Sequence, residues 1–326
     1  MWTEAQVEAM VELNDKKRFE MRRREDGGEV QIRAAQGHTM SDVGKQVGEM
    51  MNAAAIKRVP FAVHGTYSKY LKDITARGLH HMQRHHIHLA PGLLGEASVT
   101  SGMRHDCSVY IWVDVARAVE AGIRFFEAAN GVILCEGDTD GYLPTAYFSV
   151  VIELRADLAA PARRKQPLVR LLERLFPGCS RVTATKLHGG FSGSLVLQTD
   201  SRDGDGRPNE PTVTKFDLAT AMSDEVQRTE EISELVGAEA IRHIRGPHYV
   251  DRYGADVNEL SAEHRTSNYF GAVVLEMAGA CWVLPEFFGK LEVELLSTFK
   301  KRLLREMGRG LTRQPTRGGS PAKAKL

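Results

Sequence analysis

"VPFAVHGTYSKYLKDITARGLHHMQRHHIHLA", residues 59–90, decides how the front of this chain is read. Its first eight residues, VPFAVHGT, read as a strand that ends in a glycine turn. SKYLKDITARGL (68–79) sets Tyr70, Leu71 and Ile74 on one side and stops at Gly78, the pattern of a helix with a C-terminal glycine. HHIHLA (85–90) is a second strand, and the unit carries five histidines between 79 and 90: His80, His81, His85, His86 and His88. On a strand His86 and His88 share one face, while His85, Ile87 and Leu89 share the other. A zinc site needs three or four converging ligands at a recognisable spacing, and no HExxH-type spacing occurs here. That leaves His80, His81 and His85 as exposed loop residues, and one of the same-face pair as a neutral hydrogen-bonding group lining a pocket.

Outward from this unit, the chain alternates short elements. Residues 4–14 form an amphipathic helix, and RFEMR (18–22) and VQIRA (30–34) flank the turn EDGGE as a hairpin. CSVYIWVDV (107–115) is a strand with an almost continuous apolar run. VARAVEAGIRFFEAANGVILC (115–135) passes from helix to strand through a turn at Asn130-Gly131, and AYFSVVIEL (146–154) closes the region as a strand. Many strands and few helices, without a regular βαβ series, predict an α+β fold. Residues 156–167, with two prolines and a basic run, read as a linker to a second unit at 168–308. The tail 309–326, rich in Gly and Pro with five basic and no acidic residues, reads as disordered.

Composition narrows the function classes. The chain has 326 residues, 42% hydrophobic and 26% charged, with a formal net charge of +1. Bulk charge therefore gives no polyanion-binding signature, and a nucleic-acid site must come from local Arg and Lys. Cys107, Cys135, Cys179 and Cys281 lie far apart with no CxxC pair, which fits a reducing compartment, cytoplasmic or nuclear. No stretch approaches the ~20 apolar residues of a membrane span, so no membrane partner is expected. Three polar clusters stand out: IRAAQGH (32–38), VHGT (63–66) and SGMRHD (101–106). Each sets a Gly beside a His or Arg, a combination suited to close approach of phosphate groups.

In collinear order over residues 5–155, NDKKRFEM (14–21), IRAAQGHTM (32–40), VPFAVHGT (59–66), ITARGL (74–79), RHHIHLA (84–90), GMRHD (102–106), the stretch 113–135 and GYLPTAYF (141–148) resemble the NAD-dependent RNA 2′-phosphotransferase family of the tRNA-splicing pathway. The resemblance implies an ADP-ribosyltransferase-like lobe, a split and bent β-sheet around a cleft for NAD. It also implies a two-step reaction on 2′-phosphorylated RNA such as tRNA. The 2′-phosphate attacks the nicotinamide ribose and releases nicotinamide; an adjacent ribose hydroxyl then frees the RNA and leaves ADP-ribose cyclic phosphate. Positive donors aimed at the phosphate would dominate such catalysis. The resemblance assigns Arg33, His38 and Arg104 to the catalytic set, and His64, Gly65, Thr66, His88 (or His86), Asn130 and Val132 to the cofactor. Val132 falls where ADP-ribosylating toxins carry a glutamate, and Ala90 where the family usually has Ser. The family's Arg-His pair, carried on a helical N-terminal lobe, has no counterpart before NDKKRFEM, so two of four phosphate-gripping residues are expected here.

The second half carries a looser resemblance to the small lobe of protein-kinase-like phosphotransferases. TKLHGGFSGSLVLQT (185–199) is a strand, a Gly-rich turn and a strand; PTVTKFD (211–217) is a strand with a central Lys; 219–240 is a helix and 269–279 a further strand. The resemblance implies phosphate contacts from Gly189, Gly190 and Gly193, and Lys215 paired with Glu231, or with Glu225 or Glu234. No catalytic Asp or metal-binding Asp follows residue 280, where an amphipathic helix (291–307) is expected. This half is read as a structural or interaction module open to ATP or a protein partner. Two other readings of the whole stand beside the leading one: ADP-ribosylation of terminal nucleic-acid phosphates, and non-catalytic nucleotide or RNA binding.

Overall fold

The computed structural model describes residues 2–14, 17–23, 28–35, 48–96, 98–155, 158, 162–187, 194–236, 243–251, 255–260 and 269–276, with backbone alone at 162–164, 229–236 and 243–245. Two compact units emerge: Met1–Arg228 with Arg242–Glu276, and Thr229–Ile241 with Met277–Leu326. The first holds the site. The expected terminal helix (291–307) and tail (309–326) lie outside the described residues.

The elements in order are α1 (Glu4–Glu12), β1 (Phe19–Arg23), β2 (Val30–Ala34), β3 (Glu49–Met50), α2 (Ala53–Arg58), β4 (Phe61–Thr66), α3 (Ser68–Arg77), β5 (Leu79–His80), β6 (Ile87–Leu89) and β7 (Val109–Asp114). There follow α4 (Val115–Glu120), β8 (Phe125–Glu127), β9 (Ile133–Cys135), β10 (Tyr142–Leu143), β11 (Phe148–Leu154), α5 (Ala162–Leu175), β12 (Arg181–Lys186), β13 (Leu195–Arg202), β14 (Thr212–Leu218), α6 (Ala219–Val236), β15 (His243–Asp251) and β16 (Tyr269–Glu276). Local chemistry sets several boundaries. Thr3 and Gln6 form a reciprocal capping box on α1, and Asp114 caps α4 by accepting from the Arg117 N–H at 3.0 Å. Gly78 ends α3 at φ 95°, and a Cβ there would stand 2.3 Å from the Leu143 carbonyl oxygen, so only glycine fits.

Eight strands form one sheet in the order β15-β16-β14-β13-β12-β11-β7-β4, and four form another in the order β3-β8-β9-β6. The apolar run of β7 follows from burial on both faces, since successive side chains alternate. Tyr110 and Trp112 join the core under α5, with Ile152, Leu154, Val182, Leu168 and Leu172. Val109, Ile111 and Val113 join the opposite core, with Leu71 of α3 and with Ile87, Leu89, Phe125 and Ile133 of the four-stranded sheet. The two sheets meet edge to edge where β4 bridges the residue after β6. Val63 N–H donates to the Ala90 carbonyl and Ala90 N–H to the Val63 carbonyl, each at 2.8 Å.

Three expectations need correction. The stretch 156–167 is not a linker throughout, because α5 begins at Ala162. The sheet also continues without a break from β11 to β12, a parallel pair with Val151 opposite Arg181, so α5 is the crossover between them. Leu168, Leu171, Leu172 and Leu175 are all fully buried, at the 3–4 residue spacing of a core-facing helix. Residues 115–135 do not pass from one helix to one strand. The helix ends at Glu120, and β8 pairs with β9 as a hairpin, Phe126 opposite Leu134. His86 precedes β6 and so does not share a strand face with His88; it is buried edge-on against Phe126, ring centroids 5.6 Å apart.

Candidate active site

The junction of the two sheets brings together the two histidines on which the sequence reading turns. His64, on β4, is hydrogen-bonded through Nδ1 to the carbonyl of His88 on β6 at 2.9 Å. A carbonyl only accepts, so His64 Nδ1 carries the proton and Nε2 is left as an acceptor in the neutral ring. His88 Nδ1 lies 2.7 Å from an Arg84 guanidinium nitrogen. Guanidinium only donates, so Nδ1 of His88 accepts and Nε2 carries the proton. Burial pushes the pKa of His64 down and that of His88 down to about 4; the Arg84 charge lowers both further, while the carbonyl bond to His64 works against its shift. At neutral pH the pair is therefore uncharged, one ring offering an acceptor and the other a donor.

The loop bearing Arg104 is pressed against this junction. Gly65 leaves no room for a side chain: a Cβ would stand 2.4 Å from Met103 Cγ and 2.6 Å from Cys107 Sγ. Gly102, at φ 105°, approaches the Leu89 carbonyl, 2.8 Å from where its Cβ would lie. Met103 and Cys107 are buried between these contacts, and Arg104 is exposed. Its Nη1 reaches the Tyr67 hydroxyl at 3.5 Å, and that hydroxyl donates to Asp106 Oδ1 at 2.8 Å, which holds the Asp106 carboxyl below its ordinary range. Helix α5 braces the same loop. Arg170 pairs with Glu96 and lies over the Trp112 ring at 5.9 Å, and burial lowers the Lys165 pKa, with Cys107 and Asp106 countering only part of that shift.

Asn130 and Val132 sit in the turn that leads into the neighbouring strand β9. Leu89 pairs with Ile133, a register that sets Val132 opposite Ala90. Both residues are buried, and the Val132 N–H donates to Asn130 Oδ1 at 3.4 Å. Thr66 is buried at the end of β4, where its carbonyl accepts from the Ser108 N–H.

Arg33 is not brought to this group. It lies on β2 of the separate β1–β2 hairpin, 68% exposed, with its guanidinium 2.6 Å from Glu20. No hydrogen bond or ion pair joins it to His64, His88 or Arg104 among the described residues. His38, Gly189, Gly190 and Gly193 lie outside the described residues, as do the side chains of Glu231 and Glu234. Lys215 is paired with Glu225, one of the expected partners, Nζ to Oε1 at 2.6 Å. Among the described residues no group of three or more His, Cys, Asp or Glu is placed to hold a metal. His80 instead stacks on His81 at 4.6 Å and packs on Tyr142 at 4.4 Å.

Sequence reasoning missed Tyr67, Arg84 and Asp106. Tyr67 and Arg84 carried a faint signal, one following Thr66 directly and the other preceding the strand of His88 by one turn. The donor set as a whole fits a nicotinamide dinucleotide: uncharged acceptor and donor nitrogens and a buried amide suit sugar hydroxyls and a carboxamide, and an exposed guanidinium suits phosphate.

Residues 1–137 match the model of the RNA 2′-phosphotransferase, Tpt1 / KptA family. The chain is 43% identical over 144 residues to tRNA 2′-phosphotransferase 1 of Danio rerio, covering 44% of this chain and 63% of that protein. It is 39% identical over 149 residues to tRNA 2′-phosphotransferase 1 of Homo sapiens, covering 46% and 58%, and 38% identical over 149 residues to that of Mus musculus, covering 46% and 59%. The chain thus spans less than two thirds of the length of these relatives.

Proposed function

We propose that the first region, residues 1–155, removes an internal 2′-phosphate from RNA such as spliced tRNA, using NAD and releasing nicotinamide and ADP-ribose 1″,2″-cyclic phosphate. The observation that carries this reading is the junction of β4 and β6 inside the matched stretch, with neutral His64 and His88 hydrogen-bonded across it and the Arg104 loop packed on it. NAD, when bound, supplies the electrophilic ribose carbon and the leaving nicotinamide. His64 Nε2 and His88 Nε2–H would hold its sugar hydroxyls without adding positive charge to the site. Arg104 neutralises the incoming phosphate, with Tyr67 and Asp106 fixing its direction. Arg33, held with Glu20 on its own hairpin, is not part of this group, so Arg104 is the cation on which the reading rests. The apolar Val132 suffices where a base would otherwise stand, because a phosphate nucleophile needs no deprotonation.

The test is incubation of the full chain with labelled NAD and a 2′-phosphorylated oligonucleotide. Dephosphorylated RNA with ADP-ribose cyclic phosphate supports the reading. Stable ADP-ribosylated nucleic acid moves the same pocket to a different transfer, and NAD binding without turnover makes it a binding module.

In the second region we propose a nucleotide- or partner-binding module built on β12 to β16 and α6. The element order and the Lys215–Glu225 pair support it. Loss of ATP-analogue binding on Lys215→Met tests it, and binding unchanged by that substitution removes Lys215 from the role.

A further inference from the structure

The sheet face under α3 holds a cavity of about 440 Å³ whose lining includes Ser68, Lys72 and Thr75 from α3 and Glu153, Arg155 and Arg181 from β11 and β12. Glu153 is the fixed point, 2% exposed, with Arg181 Nη2 at 2.7 Å and Arg155 Nη1 at 3.8 Å. The parallel register, Val151 opposite Arg181, sets Glu153 and Arg181 on one face two positions apart. One buried carboxylate thus holds two guanidiniums side by side, and Lys72 stands across from them on α3. Three cations against one carboxylate leave the cavity with two positive charges in excess. Each guanidinium has five N–H donors, more than Glu153 can accept.

We propose that this cavity binds the phosphate group of a small phosphorylated ligand, a nucleotide or free phosphate, between Lys72, Arg155 and Arg181, with the Ser68 hydroxyl as a further donor. A phosphate dianion balances the excess charge, and paired guanidiniums match its oxygens. The volume lies in the range of small-molecule sites and exceeds what a bare phosphate fills, leaving room for a nucleoside. Thr75 donates its hydroxyl to the Leu71 carbonyl at 2.7 Å and has no proton left for a phosphate, whereas the Ser68 hydroxyl, 3.2 Å from Ser108 Oγ, keeps its proton when Ser108 is the donor of that pair. The site is separate from the candidate active site, and Glu153, Arg155 and Arg181 lie beyond the stretch 1–137 that matches the family. It is nonetheless joined to β4. Ser68 N–H donates to Ser108 Oγ at 3.1 Å, and the Ser108 N–H donates to the Thr66 carbonyl at 3.0 Å. An anion drawn onto Ser68 is therefore two hydrogen bonds from the strand that carries His64.

The experiment is calorimetric titration of the full chain in an Arg104→Ala background, which silences phosphate binding at the candidate active site. Inorganic phosphate, adenosine 5′-monophosphate and adenosine are the three probes. Lys72→Ala and Arg155→Gln, both at exposed side chains, are added singly. The expected result is phosphate-dependent binding that either substitution weakens by about tenfold or more, with Lys72 protected from acetylation when the probe is bound. Tighter binding of the monophosphate than of phosphate identifies a nucleotide, and equal binding identifies free phosphate; either supports the site. Adenosine binding as tightly as its monophosphate, affinity unchanged by both substitutions, or no binding of either phosphate probe overturns it. Failure of 2′-phosphate removal leaves this titration untouched, so the two claims stand or fall separately.

Discussion

Acid should loosen this fold through His88, and the size of the effect can be worked out. The His88 pKa falls from an ordinary 6.5 to about 4 in the folded chain, first because the ring is buried and next because Arg84 sits beside it. In the unfolded chain the ring takes up a proton below about pH 6.5. Between pH 6.5 and about 4 the unfolded state thus binds more protons than the folded one, and stability falls as the pH drops through that window. The contribution is whole above pH 6.5, and below about pH 4 the loss is complete. At about 1.36 kcal/mol per pH unit the displacement sets an upper limit of about 3 kcal/mol. His64, also lowered by burial, pulls the same way. The assay is urea unfolding at stepped pH for the parent chain and His88→Gln, followed by tryptophan fluorescence, to which Trp112, 4% exposed, contributes a buried reporter. The variant should show a flatter acid limb, with the difference in slope between the two curves confined to pH 4–6.5. Parallel acid limbs would refute the reasoning, because they would mean that His88 charges as readily in the folded chain as in the unfolded one.

Other expectations follow from single contacts. Arg104→Ala should abolish release of RNA 2′-phosphate while moving the unfolding midpoint little, as the side chain is exposed; retained turnover would remove Arg104 from the chemistry. Gly78→Ala should destabilise by roughly 2 kcal/mol or more, combining a φ of 95° with a Cβ 2.3 Å from the Leu143 carbonyl, and a thermal melt reads it. Asp114→Ala removes the cap of α4 and should cost about 1 kcal/mol in urea unfolding, with Asp114→Asn restoring most of it.

The strands and turns of the first region were legible where one physical signal dominated. VPFAVHGT is read correctly because an apolar strand ends at glycine, and α3 because Gly78 can take a φ that other residues resist. Helix α5 was hidden by its own first turns. Pro167 and the basic run suggested a linker, while the leucines from 168 onward carried the true helical spacing. The hairpin β8–β9 was missed because β8 has three residues, too few to show alternation, and β15 because Gly246-Pro247 within it mimics a turn. In the site, glycine and histidine motifs pointed to His64 and His88. Their protonation could not be read, because it depends on a carbonyl from another strand and on Arg84. Nor could sequence order tell that the loop bearing Arg104 is packed against that junction while Arg33 is engaged with Glu20 on its own hairpin.

The central claim is that the β4–β6 junction holds a dinucleotide between two neutral imidazoles. NMR of the chain with carbon-13 in its histidine rings, titrated with NAD and assigned through His64→Gln and His88→Gln, tests it directly. The account predicts that the His64 and His88 ring signals shift together with one saturation curve, while His80 and His81 stay in place. Shifts confined to other histidines, or none at saturating NAD, would contradict it.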